Sequence, residues 1–326
     1  MVFSRPPVCI SHGSIVGTKE AQGPLKQYFD ILAPDDRLGQ ASWEKAECQL
    51  QQQAFAKALE KAKLQPGDLD MVFAGDLLNQ CISSAFALRG VPVSYFGLYG
   101  ACSTMAESLM LAAMAVDGGF AQKAAAMTSS HFASAERQYR FPLEYGGQRT
   151  PTAQWTVTGS GCAILSGEGD GPQITCATAG MVIDKGVKDA NNMGCAMAPA
   201  AYATIRAHFD DLGLAPSDYD GIYTGDLGTV GKQVVLDFFQ QDGVDLRGIY
   251  DDCGAMIFDV QRQDVHAGAS GCGCAAVTLA YLLNRLLTGK DKRILLCATG
   301  ALMSPVSTQQ GESIPSICHA VCLERR

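Results

Sequence analysis

A stretch of fourteen residues occurs twice in this chain, 150 positions apart, and this repeat limits the possible folds more than any other feature. The first copy (64–77) reads LQPGDLDMVFAGDL and the second (214–227) reads LAPSDYDGIYTGDL. Each copy follows a segment of helical character, at 43–62 and 199–212, and each contains a short apolar run that ends in Gly-Asp-Leu. The repeat therefore predicts helix, turn and buried strand in both places, and an α/β chain made of two duplicated halves.

A second pair of segments keeps the same order in the two halves. Residues 100–104 open an apolar helix that is followed by a predicted strand at 124–130, and residues 268–272 open a helix that is followed by a strand at 293–300. The first of these helices is apolar on nearly every face, which predicts that it lies inside the protein between two sheets.

The stretch 167–172, GEGDGP, has the composition of a turn and marks the join between the halves. We therefore predict an N-terminal half at 1–170, which carries Cys102, and a C-terminal half at 171–326.

Composition excludes several classes of function. The net charge is −8 and no basic run interrupts it, so a nucleic-acid-binding surface is not expected. The chain has 13 cysteines but no CxxC pair, and only 5 histidines, so we predict no metal site and interpret most cysteines as small core residues in a reducing compartment. Neither a signal peptide nor a membrane-spanning segment is predicted.

Cys102 is the strongest candidate for a catalytic or ligand-binding residue. Thr104 and Glu107 have the spacing of a capping box, which places the start of a helix at about Thr104 and Cys102 just before it. The free N–H groups and the dipole of a helix N-terminus stabilise a thiolate. The alternative, a packed cysteine at a strand–helix junction, stays open on spacing alone.

Other candidates follow the buried strands. Asp76 and Asn79 come after the first repeated strand, where open α/β sheets bind ligands, although a helix cap is the commonest role for such an aspartate. His131, His266 and His319 are candidates for the imidazole next to Cys102, and each has a structural role as its alternative. The segment 136–149 carries three arginines, a residue type suited to carboxylates; a surface loop or a subunit contact is the alternative.

Several motifs carry a resemblance to known families. The segments GACST at 100–104, TGSGCAIL at 158–165 and HAGASG at 266–271 resemble the thiolase and ketoacyl-synthase superfamily. Five further segments resemble the stage V sporulation AD family more narrowly: AGDLLNQ (74–80), FGLYGACST (96–104), EYGGQ (144–148), NMGCAMAPAA (192–201) and ATGALMSP (298–305). This resemblance implies a thiolase-like five-layer αβαβα fold and a homodimer that pairs through the strand at 124–130.

The narrower resemblance also implies a function. It implies binding of dipicolinic acid (pyridine-2,6-dicarboxylate) during its uptake into the spore and its release at germination. The implied setting is a peripheral subunit of a membrane channel complex, on the cytoplasmic side of the forespore inner membrane, with the membrane subunits as partners. No cofactor is implied, and whether Ca²⁺ is carried with the ligand stays open.

The chain departs from the condensing enzymes where these carry a catalytic His or Asn, since Gly225 and Asp226 stand there. We therefore expect binding without turnover. The hypothesis is that Cys102 and the N–H groups after it, beginning with Ser103, hold one carboxylate of the ligand, and that Asp76, Asn79 and His131 line the pocket.

Two alternatives remain from the sequence. In the first, the protein is an acyltransferase that forms an acyl-Cys102 intermediate, with His266 or His319 as the acid–base group. In the second, it is a purely structural subunit with an unused pocket.

Overall fold

A computed structural model describes residues 1–139 and 149–325. Arg140 and the motif at 144–148 lie outside this range. The helices of the described part are α1 Trp43–Ala62, α2 Ile82–Ala87, α3 Thr104–Asp117, α4 Phe132–Tyr139, α5 Met193–Leu212, α6 Gly228–Gln241, α7 Cys253–Met256, α8 Cys272–Leu287 and α9 Pro305–Gln309. The strands are β1 Val8–Val16, β2 Ile31–Leu32, β3 Met71–Gly75, β4 Ser94–Leu98, β5 Lys123–Ser130, β6 Trp155–Thr156, β7 Gly159–Ser166, β8 Gln173–Thr178, β9 Gly221–Gly225, β10 Tyr250–Asp252, β11 Ala269–Ser270, β12 Arg293–Ala301 and β13 Ser316–Glu324.

The duplication is visible element by element. Helices α1 and α5 have 20 residues each, and like strands β3 and β9 they lie 150 positions apart. In the first half Asp70 accepts hydrogen bonds from two backbone N–H groups at the start of β5, and in the second half Asp220 does the same at the start of β12. The same side-chain contact therefore fixes the same strand pairing twice.

The predicted start of the second repeated helix, at 199, is wrong. Helix α5 begins at Met193, because the side chain of Asn192 accepts a hydrogen bond from the N–H of Cys195 and caps the helix there. Pro199 lies inside the helix instead of opening it.

Contacts between helices and strands divide the fold into five layers, as expected. In order, these are outer helices, strands of the first half, the middle helices, strands of the second half, and outer helices. The main sheet has the strand order β10-β9-β12-β13-β8-β1-β7-β5-β3-β4, and the pairing of Val8 with Gln173 joins the strands of the two halves. Helix α1 covers β1 and β7 on one outer side, whereas α5 lies on the other side against β12 and β13, and α6 packs on α5 and β10. Helices α3 and α8 contact strands of both halves, so they form the middle layer.

The middle helices are buried over most of their surface, with Met114 and Leu287 exposed near their C-termini, and this agrees with the prediction for the first of them. Met105 and Leu109 of α3 and Leu282 and Leu286 of α8 are almost completely inaccessible and belong to one core cluster. The N-termini of the two helices meet, since the thiol of Cys272 donates a hydrogen bond to the carbonyl oxygen of Ala101 at 2.7 Å. The site described next is built where they meet.

The strand at 124–130, through which the resemblance implies that a dimer pairs, is not an edge strand within this chain. Strand β5 is hydrogen-bonded to β3 on one side and to β7 on the other. Within the described residues, β4 ends the strand order on this side. The chain passes from β4 through α3 before it returns as β5, and β5 then takes the inner place beside β3.

Candidate functional site

Cys102 lies in a tight turn, Ala101–Ser103, directly before α3. The predicted start of the helix at Thr104 is confirmed, but the capping box is not formed. The hydroxyl of Thr104 donates backwards to the carbonyl oxygen of Ala101 at 2.6 Å, and that of Ser103 donates to Gly100 at 2.7 Å. Ala101 has a φ of 52°, a left-handed conformation that is uncommon for a residue with a side chain.

The expected activation of the Cys102 thiol is reversed. Its side chain is buried, and burial raises the pKa of the thiol well above its usual value. The carboxylate of Asp226 raises it further, whereas a hydrogen bond from the backbone N–H of Gly271 lowers it less. Near neutral pH Cys102 is therefore a neutral thiol, although it stands before a helix N-terminus.

Cys102 opens onto a cavity of about 60 Å³ that both halves of the chain line. The lining residues are mostly apolar or hydroxyl-bearing: Leu77, Ala101, Cys102, Ala135, Glu136, Tyr139, Thr156, Ala190, Met193, Ser270, Ala301 and Met303. Thr156 and Ser270 are opposite each other on the short parallel strands β6 and β11. The half-buried residues Ala190, Met193 and Met303 bring the second half to the same cavity.

Glu136 is the acidic side chain in this lining, and it is paired. Arg149 lies 2.9 Å from its carboxylate, donates to the carbonyl oxygen of Gln154 at 2.9 Å, and packs over the rings of Phe132 and Trp155. Arg149 comes from the arginine-rich segment that the sequence singled out. Its guanidinium neutralises Glu136, so that carboxylate does not repel an anion in the cavity.

Asp226 follows strand β9 and is completely buried near Cys102. It has a φ of 72°, and the side-chain amide of Gln154 donates to its backbone carbonyl at 2.7 Å. Asp226 occupies the position in the second half that Asp76 occupies in the first, 150 positions earlier.

Asp76 stabilises its own loop. Its carboxylate accepts hydrogen bonds from the N–H of Leu78 at 2.9 Å and from the N–H and hydroxyl of Ser84 at 2.8 and 2.6 Å. Burial raises its pKa against these hydrogen bonds, which lower it. These contacts tie the start of α2 to the end of β3, as a capping aspartate does.

Asn79 and His131 lie away from the cavity at Cys102. Asn79 lines a separate surface depression and accepts a hydrogen bond from the hydroxyl of Tyr99 at 3.1 Å. The Nδ1 atom of His131 accepts from the N–H of Ala133, and its Nε2 atom lies 2.8 Å from the carbonyl oxygen of Asp36. His131 is therefore a neutral ring with its proton on Nε2, and burial lowers its pKa. The ligand-binding role of both residues stays a prediction.

The other two histidines are held by backbone groups. The Nδ1 atom of His266 lies 2.8 Å from the carbonyl oxygen of Thr150. In His319 the Nδ1 atom accepts from the N–H of Gly180 at 3.2 Å, and burial lowers the pKa of the ring. Among the described residues that line the cavity there is no histidine.

The sequence did not single out several residues that lie in the cavity or beside it. Cys272 stands 170 positions after Cys102, at the same place in the duplicated unit, and packs against Cys102. The paired helix starts at 100–104 and 268–272 contain both cysteines, and that pairing was the signal for Cys272. Thr156 and Ser270 carried no such signal, because two-residue strands leave no pattern in a sequence.

Two properties of the described chain bear on membranes and metals. No helix within residues 1–139 or 149–325 is both long and apolar enough to cross a membrane. In the same residues, no group of three or more His, Cys, Asp or Glu side chains is arranged to hold a metal ion.

Comparison with known proteins decides the family. The family described as Stage V sporulation protein AD (SpoVAD) matches residues 1–324. Stage V sporulation protein AD of Bacillus subtilis (strain 168) is 46% identical over 325 residues, which cover 99% of this chain and 96% of that protein. The chain belongs to the stage V sporulation protein AD family. The narrower resemblance in the sequence is thereby confirmed.

Solved structures show that the family shares its fold with condensing enzymes. The 3-oxoacyl-[acyl-carrier-protein] synthase III from Aquifex aeolicus VF5 has a TM-score of 0.57 at 15% identity and covers 98% of this chain and 99% of its own. Cerulenin-bound OleA from Xanthomonas campestris has a TM-score of 0.61 at 14% identity, with 99% and 98% covered. At these identities the likeness shows the thiolase-like fold alone.

Proposed function

We propose that this member of the SpoVAD family is a binding protein without turnover, and that it holds dipicolinic acid in the cavity next to Cys102. The observation that carries the proposal is the burial of the Cys102 thiol, which raises its pKa, in a cavity whose described lining holds no histidine. A thioester-forming cysteine needs a thiolate and an acid–base partner. A pocket that keeps its walls and lacks those groups is suited to holding a ligand.

The lining of the cavity matches a planar aromatic acid. Leu77, Met193 and Met303 offer apolar surface for a ring, and the hydroxyls of Thr156 and Ser270 are available to carboxylate oxygens. Helix α3 begins at this turn, and the positive end of its dipole favours an anion there; the N–H of Ser103 itself donates to the carbonyl oxygen of Gly100 at 3.1 Å.

The negative charge of Asp226 opposes the binding of a ligand that carries two carboxylates. The buried carboxylate of Asp226 lies close to the proposed site. Transfer of a dianion to such a place costs free energy unless a cation accompanies it. We therefore propose that the acid enters with a compensating proton or with Ca²⁺, and that it binds more tightly when Ca²⁺ is present.

The setting proposed for this activity follows from family membership. The protein would act on the cytoplasmic side of the forespore inner membrane, held there by membrane subunits of a channel complex, and serve uptake of the acid and its release at germination.

Calorimetric titration of the protein with dipicolinic acid, with and without Ca²⁺, tests the proposal. We expect saturable binding that is lost in Ala190→Phe, which fills the cavity from its half-buried side, and weakened at least about tenfold in Cys102→Ala. Asn79→Ala, in the separate depression, tests the predicted role of that residue, and Asp237→Asn on the exposed side of α6 is the control that keeps wild-type affinity. Binding lost in Asn79→Ala and kept in Ala190→Phe would move the ligand to that depression, and no binding at all would refute the proposal.

One observation supports acyl transfer as a second candidate: the Cys102 sulfur opens onto a largely apolar cavity and receives a hydrogen bond from Gly271. Incubation with acyl-CoA of several chain lengths separates the two. A mass increase that disappears in Cys102→Ala favours the acyltransferase, and the binding account predicts no adduct.

A further inference from the structure

Two cysteines face each other across neighbouring strands of the second half, far from Cys102 in the fold. Cys176 on β8 and Cys322 on β13 are directly opposed in the antiparallel register. Opposed residues in such a ladder have Cα atoms about 4.5–5.5 Å apart, which falls within the range of about 4.4–6.8 Å that a disulfide needs. Both cysteines are free thiols in the structure. The register therefore places the pair within reach of a disulfide, directly beside the register shift between Cys322 and Leu323.

The two thiols lie close enough to interact. This interaction lowers the pKa of Cys176 and raises that of Cys322, whose thiol also donates to the carboxylate of Glu324 at 3.7 Å. The ring of His208, which is completely buried, also contacts the Cys176 sulfur and lowers the pKa of Cys176. Cys176 is therefore the more acidic of the two thiols, and Cys322 holds its proton more tightly.

His208 is fixed in its place beside the pair. Its Nδ1 atom lies 2.8 Å from the hydroxyl of Thr178, and its Nε2 atom lies 2.7 Å from the hydroxyl of Tyr219. Thr178 belongs to the same strand as Cys176, two residues further on. The imidazole thus has two hydrogen bonds that hold its ring against β8.

The surroundings of Cys176 shift its pKa in the opposite direction to that of Cys102. Of the described cysteines whose pKa is shifted, Cys176 alone is shifted downward, and all the others are raised by burial or by neighbouring groups. Cys176 also retains 7% exposure, whereas Cys322 has none. A small oxidant would therefore meet Cys176 first, and in its reactive form.

We propose that Cys176 and Cys322 form a reversible disulfide when the protein reacts with a small peroxide. The Cys176 thiolate attacks one oxygen of hydrogen peroxide, the O–O bond breaks, and a sulfenic acid and hydroxide result. The sulfur of Cys322 then attacks the sulfenic sulfur, the S–O bond breaks, and water leaves. The hydroxide takes up the proton that Cys176 had released, so two thiols are oxidised and one peroxide is reduced to two waters.

The bridge would close a loop of nearly the whole second half. It would join β13, the last strand, to β8, the first strand of that half and the one that pairs with β1. A cross-link over such a long loop removes much of the conformational freedom of the unfolded chain. The oxidised protein is therefore expected to melt at a higher temperature, by at least about 3 °C.

Mass spectrometry of the whole protein after limited peroxide treatment tests the inference. We expect the loss of two of the 13 thiols, a linked peptide pair that contains Cys176 and Cys322, and full recovery with dithiothreitol. Cys322→Ser removes the link and the rise in melting temperature. Cys253→Ser is the matched control, since Cys253 is also buried but lies at the start of α7, outside the strand ladder.

The outcome can also contradict the inference. It fails if Cys176 stays reduced at a peroxide level that oxidises the half-buried Cys48. It also fails if Cys176 proceeds to sulfinic acid in the wild type, or if bridges form among other cysteines at the same rate.

Discussion

The surroundings of Cys102 set two physical effects against each other. A helix N-terminus favours a thiolate by about 0.3–1 kcal/mol, or up to about 2 kcal/mol when partly buried. Burial of a charged group in an apolar site costs more than this, and the carboxylate of Asp226 adds to the cost. The thiol therefore stays protonated, which supports a role in binding.

The reactivity of Cys102 follows from this balance. Because its pKa lies well above 9, less than about a tenth of the thiol is ionised at pH 8, and we expect slow alkylation by iodoacetamide that accelerates as the pH rises. Asp226→Asn removes the repelling charge and keeps a residue that tolerates the left-handed backbone. It should speed alkylation at pH 8 by up to about tenfold, as measured by peptide mass spectrometry.

The control for this experiment is Asp237→Asn, which removes an exposed carboxylate from α6 and should leave the rate unchanged. Rapid alkylation of the wild type at pH 7, faster than that of a free cysteine, would show that Cys102 is an activated nucleophile.

At the scale of secondary-structure elements, strand β12 of the second half holds the turn of Cys102 in place. A side-chain carbon added at Gly300 would lie 2.3 Å from the carbonyl oxygen of Gly100 and 3.1 Å from the N–H of Ser103. The strand and the turn approach each other too closely for any residue other than glycine. The position of the thiol therefore depends on a contact between the halves.

Gly300→Ala should displace this turn and weaken binding of dipicolinic acid by about tenfold or more, although Gly300 is not part of the cavity lining. Gly67→Ala is the matched control, because nothing lies within 4 Å of the added carbon there, and it should bind as the wild type does. Calorimetry on both variants, with circular dichroism to confirm folding, measures the difference. Equal affinity of Gly300→Ala and wild type would contradict the positioning role.

The elements that the sequence predicted well are those with local patterns. The repeat located β3 and β9, and the apolar composition of α3 correctly predicted its burial. The capping box at Thr104 failed because hydroxyls have a choice of backbone partners, and the choice depends on the turn before the helix. The start of α5 was missed because proline is tolerated near the beginning of a helix, and the cap lies further upstream, at Asn192.

At the scale of the whole molecule, the cavity belongs to both halves. Cys102 and Tyr139 come from the first, while Met193, Ser270 and Met303 come from the second. Residues so far apart in sequence are brought together by the order of strands and layers, which no local pattern encodes. Sequence reasoning therefore found Cys102 and missed most of its neighbours.

The place where two copies could pair is not encoded in a local pattern either. We propose that the protein forms a dimer through the edge strand β4 instead of β5. Phe96 on β4 is 46% exposed, and Phe86 and Ile82 of the neighbouring α2 are also exposed. An unpaired strand edge beside apolar side chains favours pairing with a second copy. Sedimentation should show a dimer that Phe96→Lys dissociates.

Phe120→Lys is the control, because Phe120 is more exposed than Phe96 and follows α3 instead of lying on this edge. It should remain dimeric. A wild type that sediments as a monomer, or a Phe96→Lys variant that stays dimeric, would contradict the assignment of the edge.

The most direct test of the binding account is protection of Cys102 by the ligand. The rate of alkylation of Cys102 would be measured at pH 8.5 as dipicolinic acid is added in the presence of Ca²⁺, with the half-buried Cys48 of α1 as an internal control. The account predicts a saturable fall in the Cys102 rate, with the midpoint at the calorimetric Kd and no change at Cys48. An unchanged rate at a saturating concentration of the acid would show that the ligand does not occupy this cavity.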